Sequence, residues 1–173
     1  MYWLLADTPL SARLCDYTPQ QLAAQGIRAL ALDFDGVLAP HGADQPLPEM
    51  VTWLQQATAV FGEERVVILS NRPVGPRVSW FAEQFPGVRF ISGVRKKPYP
   101  DGLIQTGELT ATPLSAVLMA DDRLLTGCLA ALCAGAVPCY IRHPYICMSG
   151  NAGKELFFAL LRCAERIFVR LLP

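Results

Sequence analysis

Five short apolar runs recur along this chain: IRALALD at 27–33, RVVILS at 65–70, GVRFIS at 87–92, SAVLMAD at 115–121 and AVPCYI at 136–141. Each has the length of a strand, and few alternate apolar with polar residues. Strands buried on both faces look like this, as in a parallel sheet covered by helices. Helical patterns occupy the intervals. TPQQLAAQG (18–26) opens with Thr18 as an N-cap, Pro19 at the first helical position and Gln21 completing a capping box, and it stops at Gly26. LPEMVTWLQQATAVFG (47–62), VGPRVSWFAEQF (74–85) and RLLTGCLAALCAG (123–135) follow, and GKELFFALLRCAERIFVRLL (153–172) closes the series.

Alternating strands and helices predict an α/β fold: a Rossmann-like, doubly wound three-layer sandwich around a parallel sheet of about five strands. No linker, repeat or low-complexity tract divides residues 1–173, so one domain is expected. With 173 residues, 52% of them hydrophobic and 17% charged, the chain can bury a substantial core. Fifteen basic and fifteen acidic residues cancel. No global field is available to recruit nucleic acid, so any anion must be held locally.

The six cysteines, at 15, 128, 133, 139, 147 and 163, form no CxxC pair and no His-interleaved zinc spacing. They read as reduced core thiols in a cytoplasmic setting. The opening MYWLLADTPL lacks the basic start and long apolar stretch of a secretory signal, so no export is expected. LLTGCLAALCAGAVPCYI (124–141) is uncharged, yet its two glycines and its proline suit a buried helix ending near Gly135 and a short strand, rather than a membrane span.

Ligands of doubly wound sheets bind outside the carboxyl ends of the strands. Asp33 and Asp35 follow the first run, Ser70 ends the second, Lys97 follows the third, and Asp121 with Asp122 ends the fourth. Such a set suits phosphoryl transfer to an aspartate. A carboxylate attacking a phosphate monoester is repelled unless a divalent cation bridges the two, and further acids must hold that cation. A second carboxylate can protonate the leaving oxygen and later activate water. A hydroxyl and a fixed ammonium stabilise the transferring group.

DFDGV, ILSN, KKP and ADDRLLTG, in that order, resemble the four motifs of the haloacid dehalogenase-like (HAD) superfamily of phosphatases. The resemblance implies Asp33 as nucleophile, Asp35 as general acid/base, and Ser70 and Lys97 on the phosphoryl group. Mg2+ would be held by Asp33, Asp35, Asp121 and Asp122 and by the backbone carbonyl of Phe34. Asn71 and Arg72, beside Ser70, become substrate-binding candidates, and Lys96 competes with Lys97. His41 and His143 have no motif partner and receive no role.

YTPQQLAAQGI before the first strand, SN, RKKP and LLT resemble one branch, the phosphatases that act on phosphatidylglycerophosphate, over roughly residues 10–170. The branch usually has Gly-Asp and, five residues later, a second Asp. Here the pair is Asp121–Asp122 and the later position is Gly127. An acid is lost at 127 and gained at 121; magnesium is expected to remain with altered geometry.

The gaps 36–69 and 71–96 leave room for little more than a helix each, so no large cap domain is expected. An open site suits a substrate whose bulk stays outside, such as a lipid, polymer or protein. In the last helical pattern Arg162, Arg166 and Arg170 recur every four residues beside a broad apolar face. This helix meets an anionic membrane at its inner face, or packs its apolar side on the sheet with solvated arginines, or does both if Phe168, Leu171 and Leu172 protrude at its end. MYWLL offers a second apolar contact or a core segment. The preferred expectation is a magnesium-dependent phosphatase of a phospholipid. The alternatives are a phosphatase of soluble phosphomonoesters or phosphoproteins, and a catalytically weak HAD-fold binding protein in which Gly127 marks a decayed metal site.

Overall fold

In the computed structural model, which describes residues 1–70, 75–92, 94–149 and 152–171, the apolar runs become five parallel strands. They are β1 (Ala29–Leu32), β2 (Val66–Leu69), β3 (Arg89–Ile91), β4 (Val117–Asp121) and β5 (Val137–Tyr140). Every residue of β1, β2 and β4 is buried, which explains why their sequences do not alternate. The order is β3-β2-β1-β4-β5. Leu30 pairs with Val66 on one side and Leu118 on the other, so β1 is central and the winding reverses between β1 and β4.

Alternate strand residues feed two separate cores. Leu30, Leu32, Val66, Ile68 and Leu118 pack under α2 (Pro19–Ala24), α3 (Pro48–Phe61) and α4 (Gly75–Gln84), through Leu22, Trp53, Leu54, Phe81 and neighbours. Ala29, Ala31, Val67, Val117 and Met119 face the opposite layer. There they meet Leu103 of α5 (Asp101–Leu109) and Ala130 and Ala131 of α6 (Leu129–Ala134). The result is the expected three-layer, doubly wound sandwich.

The Thr18–Gln21 capping box forms, with Gln21 N donating to Thr18 Oγ1 at 3.2 Å and Thr18 N to Gln21 Oε1 at 3.0 Å. A π-helical turn, Leu124–Cys128, leads into α6, which ends at Gly135 in the left-handed region. Residues 124–141 thus form the buried helix–strand pair, and among the described residues no helix is long and apolar enough to cross a membrane. Two helices lie outside the patterns read above: α1 (Tyr2–Asp7) and α5.

The last helix, α7 (Ala152–Leu171), turns its apolar face outward and most of its arginines inward, which overturns the packing of that face on the sheet with solvated arginines. Its buried residues are Glu155, Arg162, Glu165 and Val169, while Leu156, Phe157, Leu160, Ile167, Phe168 and Leu171 are exposed. Arg162 is only 3% exposed, and Arg166 turns inward to donate to Tyr140 Oη (2.7 Å) and the Arg142 carbonyl (2.7 Å). The arginine stripe therefore meets neither lipid nor bulk water along most of its length, because buried acids behind it need counter-charges. The cysteines are also divided: Cys128 and Cys139 are buried, and the other four are exposed thiols rather than core residues.

Candidate active site

β1 delivers Asp33 to the sheet edge, where Asp33 N extends the ladder to the Ala120 carbonyl at 2.9 Å. The chain then turns sharply. Gly36 N donates to the Ala39 carbonyl (2.7 Å), and the amides of Leu38 and Ala39 donate to the Phe34 carbonyl (3.0 and 3.2 Å). The turn needs glycine at 36, where φ is +81° and a Cβ would lie 2.6 Å from Asp122 Oδ2. It also corrects one expectation. Both lone pairs of the Phe34 carbonyl are taken by amides, so this group is not turned toward a cation.

Asp35 leaves the turn into a bidentate pair with Arg77 of α4, Nη2 to Oδ1 at 2.8 Å and Nη1 to Oδ2 at 3.1 Å. The Gly42 amide adds a third donor at 3.3 Å. Arg77 is itself fixed, with its guanidinium 4.0 Å from the Phe34 ring centroid and its Nε donating to the Ala43 carbonyl at 2.8 Å. Burial pushes the Asp35 pKa up, but the two Arg77 bonds and the charge behind them outweigh it, and the carboxyl sits below its ordinary range.

Lys97 comes from the loop between β3 and α5. Its Nζ donates to Asp33 Oδ1 (2.8 Å) and Asp121 Oδ2 (2.5 Å), whereas Lys96 is exposed at the rim. Burial works against the ammonium, but Asp121 and Asp33 more than compensate and raise its pKa. Asp121 Oδ1 also accepts from the Arg123 amide (2.8 Å). Asp122 is paired with Arg162 of α7, Nη1 to Oδ2 at 2.7 Å.

Gly127 now has a physical reason. A Cβ built there would lie well inside 3.0 Å of Oδ2, Cγ and Cβ of Asp121. Asp121 occupies the space in which a side chain at 127 would begin, so the two positions exchange an acid for a glycine within one volume. The space beside Gly127 is therefore filled by the Asp121 side chain.

Asp33, Asp35, Ser70, Lys97, Asp121 and Asp122 all line one cavity of about 340 Å³. Ser70, just past β2, is buried there, while Asn71 and Arg72 lie outside the described residues. His41 also lines the cavity. It stacks on Phe158 with centroids 4.1 Å apart, and its Nδ1 lies 3.2 Å from Glu155 Oε2. Burial lowers its pKa against the pull of Asp35 and Glu155. His143 sits elsewhere, accepting from Arg13 Nε at 2.9 Å.

Three buried charges of α7 thus support the site. Glu155 holds His41, Arg162 holds Asp122, and Glu165 accepts from Arg123 Nε (2.7 Å) and the Leu124 amide (3.0 Å). Neither Arg77 nor these residues belongs to a short motif. Their signal lay only in charged positions spaced along otherwise apolar helices.

One carboxylate oxygen from each of Asp33, Asp121 and Asp122 can meet within 4.8 Å. Three carboxylates face two buried cations, Lys97 and Arg162, so the cluster is one negative charge in excess. The electrostatics agree. Burial, together with the neighbouring acids, pushes Asp33 up to about 7 and Asp122 up to about 8, against the opposing pull of Lys97 and Arg162. Hard oxygen donors with unbalanced negative charge fit a Mg2+ ion.

The family described as mitochondrial PGP phosphatase matches residues 10–146. No curated protein matches the chain. A solved structure of an uncharacterized protein from Corynebacterium glutamicum ATCC 13032 Kitasato superposes with a TM-score of 0.51 at 22% identity, covering 80% of this chain and 96% of that one. That similarity supports the fold. The matched segment contains β1 to β5 and each motif residue above, whereas α7 lies beyond it. On that match, the chain belongs to the mitochondrial PGP phosphatase family and is a phosphatase, a phosphoric monoester hydrolase.

Proposed function

We propose that this protein is a Mg2+-dependent phosphatase that removes the terminal phosphate of phosphatidylglycerophosphate through an aspartyl-phosphate on Asp33. The observation that supports it most is Lys97 Nζ bridging Asp33 and Asp121 at the switch point, on a cavity shared with Ser70 and Asp35. Asp33, Asp121 and Asp122 would hold the Mg2+, which supplies positive charge where the phosphate dianion meets the attacking carboxylate.

Asp33 attacks phosphorus, and the bond to the glycerol oxygen breaks. Lys97 and Ser70 hold the non-bridging oxygens as charge spreads over them. Asp35 gives a proton to the departing oxygen, then takes one from the water that cleaves the acyl phosphate and restores Asp33. Arg77 fixes where that carboxyl points and favours its ionised form, which the second step requires; the anionic substrate arriving beside Asp35 opposes that pull, so that Asp35 takes up from solvent the proton it gives in the first step. Among the described residues no inserted cap domain stands above the cavity, which suits a headgroup whose acyl chains remain outside. Six unpaired thiols support a cytoplasmic setting.

The test is phosphate release from phosphatidylglycerophosphate in mixed micelles, with and without Mg2+, beside a panel of soluble phosphomonoesters. Activity should require Mg2+, favour the lipid and vanish in Asp33→Asn. Equal turnover of lipid and soluble substrates would remove the lipid assignment, and an active Asp33→Asn variant would remove the covalent mechanism.

A further inference from the structure

Helix α7 has two faces with opposite duties. Its inward face holds Glu155, Arg162, Glu165 and Val169, and both of its acids are on that face. The outward face shows Leu156, Phe157, Leu160, Ile167, Phe168 and Leu171, each more than 50% exposed, spaced by one, three, seven, one and three residues along a single stripe. Helix α1 packs beside it, with Leu4 and Leu5 meeting Val169, and it leaves Tyr2 and Trp3 exposed. The helix's fully exposed charges are Lys154 and Arg170, one near each end. No carboxylate of α7 reaches solvent.

The same helix reaches the catalytic cavity. Lys154 and Phe158 line it, together with the exposed Lys96 on the opposite loop. The apolar stripe therefore starts beside a cationic mouth. We propose that the outward face of α7, with Tyr2 and Trp3 of α1, docks the protein on an anionic lipid bilayer, so that the headgroup phosphate enters beside Lys154 while the acyl chains stay in the membrane. The inference rests on the lipid-substrate reading above. Its physical basis is charge complementarity: the stripe of α7 is flanked by cations and carries no exposed acid, the nearest on α1 being Asp7 at that helix's far end, and an anionic interface selects such a stripe. Tyr and Trp rings suit the headgroup layer.

The experiment is vesicle flotation of the full chain, with vesicles of equimolar phosphatidylcholine and phosphatidylglycerol and with vesicles of phosphatidylcholine alone. The wild type should float with the mixed vesicles and much less with the zwitterionic ones. A Phe157→Asp/Phe168→Asp variant should bind the mixed vesicles at least about tenfold more weakly, while Phe157→Leu/Phe168→Leu retains binding. Hydrolysis of a soluble aryl phosphate should be unchanged in both variants, which reports on folding and on the chemistry separately from docking. Failure of the wild type to float, undiminished binding by the Asp variant, or a wild-type dimer that the Asp variant dissociates would each overturn the docking surface. A wild type that binds vesicles but hydrolyses no phosphomonoester would leave the surface intact and sink the enzymatic reading.

Discussion

Gly127→Ala separates two effects of opposite sign. Gly127 lies in a helical turn, where Ala is ordinarily favoured over Gly by roughly 1 kcal/mol. Here the new Cβ would fall well inside 3.0 Å of three Asp121 atoms, including its own Cβ. Rotating the Asp121 side chain moves Oδ2 and Cγ but not Cβ, so the backbone of β4 or of the turn must yield. Overpacking of this kind costs about 1–3 kcal/mol. Because side-chain rotation alone cannot relieve it, the clash lies in the upper part of that range, about 2–3 kcal/mol; less the propensity gain, Gly127→Ala should destabilise by about 1–2 kcal/mol, or roughly 2–8 °C in Tm for a chain of this size. A double-mutant cycle identifies the cause. Asp121→Gly removes all three contacting atoms and should convert Gly127→Ala to neutral or stabilising, a coupling of at least about 1 kcal/mol. Asp121→Ala retains the Cβ and should rescue only partly. Thermal and denaturant melts of the six proteins measure the terms, and additivity within about 0.5 kcal/mol would refute the shared-volume argument.

Replacing Arg162 by Met leaves Asp122 buried without its counter-charge and should cost about 3–5 kcal/mol; adding Asp122→Asn should recover much of that in urea melts. In metal-free protein, Asp33 and Asp122 titrate near 7 and 8 when folded and near the ordinary carboxylate value of 3.8 when unfolded. The folded state then holds more protons between those values, so stability should fall as pH rises through that window, by several kcal/mol at about 1.4 per tenfold. Mg2+ should stabilise more at pH 8 than at pH 5, as melts with chelator or Mg2+ would show. Arg77→Ala frees Asp35 to wander, and it should slow alkyl phosphates, whose leaving oxygen needs a proton, at least about tenfold more than aryl phosphates.

Much of this architecture is legible in the sequence because burial on both faces writes itself as unbroken apolar runs. The turn after β1 is legible too, since DFDG sets two acids just before a position that only glycine can fill at +81°. Helix α5 is not. It contains Gly102 and Gly107, each costly in a helix by roughly 1 kcal/mol, and periodicity alone argues against it. Tertiary packing overrides that cost: a Cβ at 102 would lie 2.5 Å from Leu69 Cδ1, so glycine is what lets α5 approach β2. Lys96 and Lys97 compete in the sequence, and the structure distinguishes them by burying Lys97 between two acids. Arg77 could not be read, because its partner Asp35 is 42 residues away and nothing local links them.

The orientation of α7 is the clearest case in which local pattern is insufficient. Its sequence has two good faces, one apolar and one charged, and amphipathicity alone predicts the apolar face inward. Turning it that way would bury six large side chains, worth up to about 1.5–3 kcal/mol each against full exposure and less here because they are already half-covered. The same rotation would strip Arg162 from Asp122 and Glu165 from Arg123 and the Leu124 amide, in a region where an uncompensated buried charge costs about 3–5 kcal/mol. Two such losses and an orphaned amide offset much of the apolar gain. A bilayer at the outward face would recover part of that gain without moving the helix. The acids beside β4, placed there for chemistry, therefore decide which way the last helix faces, and what the helix shows to its surroundings follows from what the site demands of it.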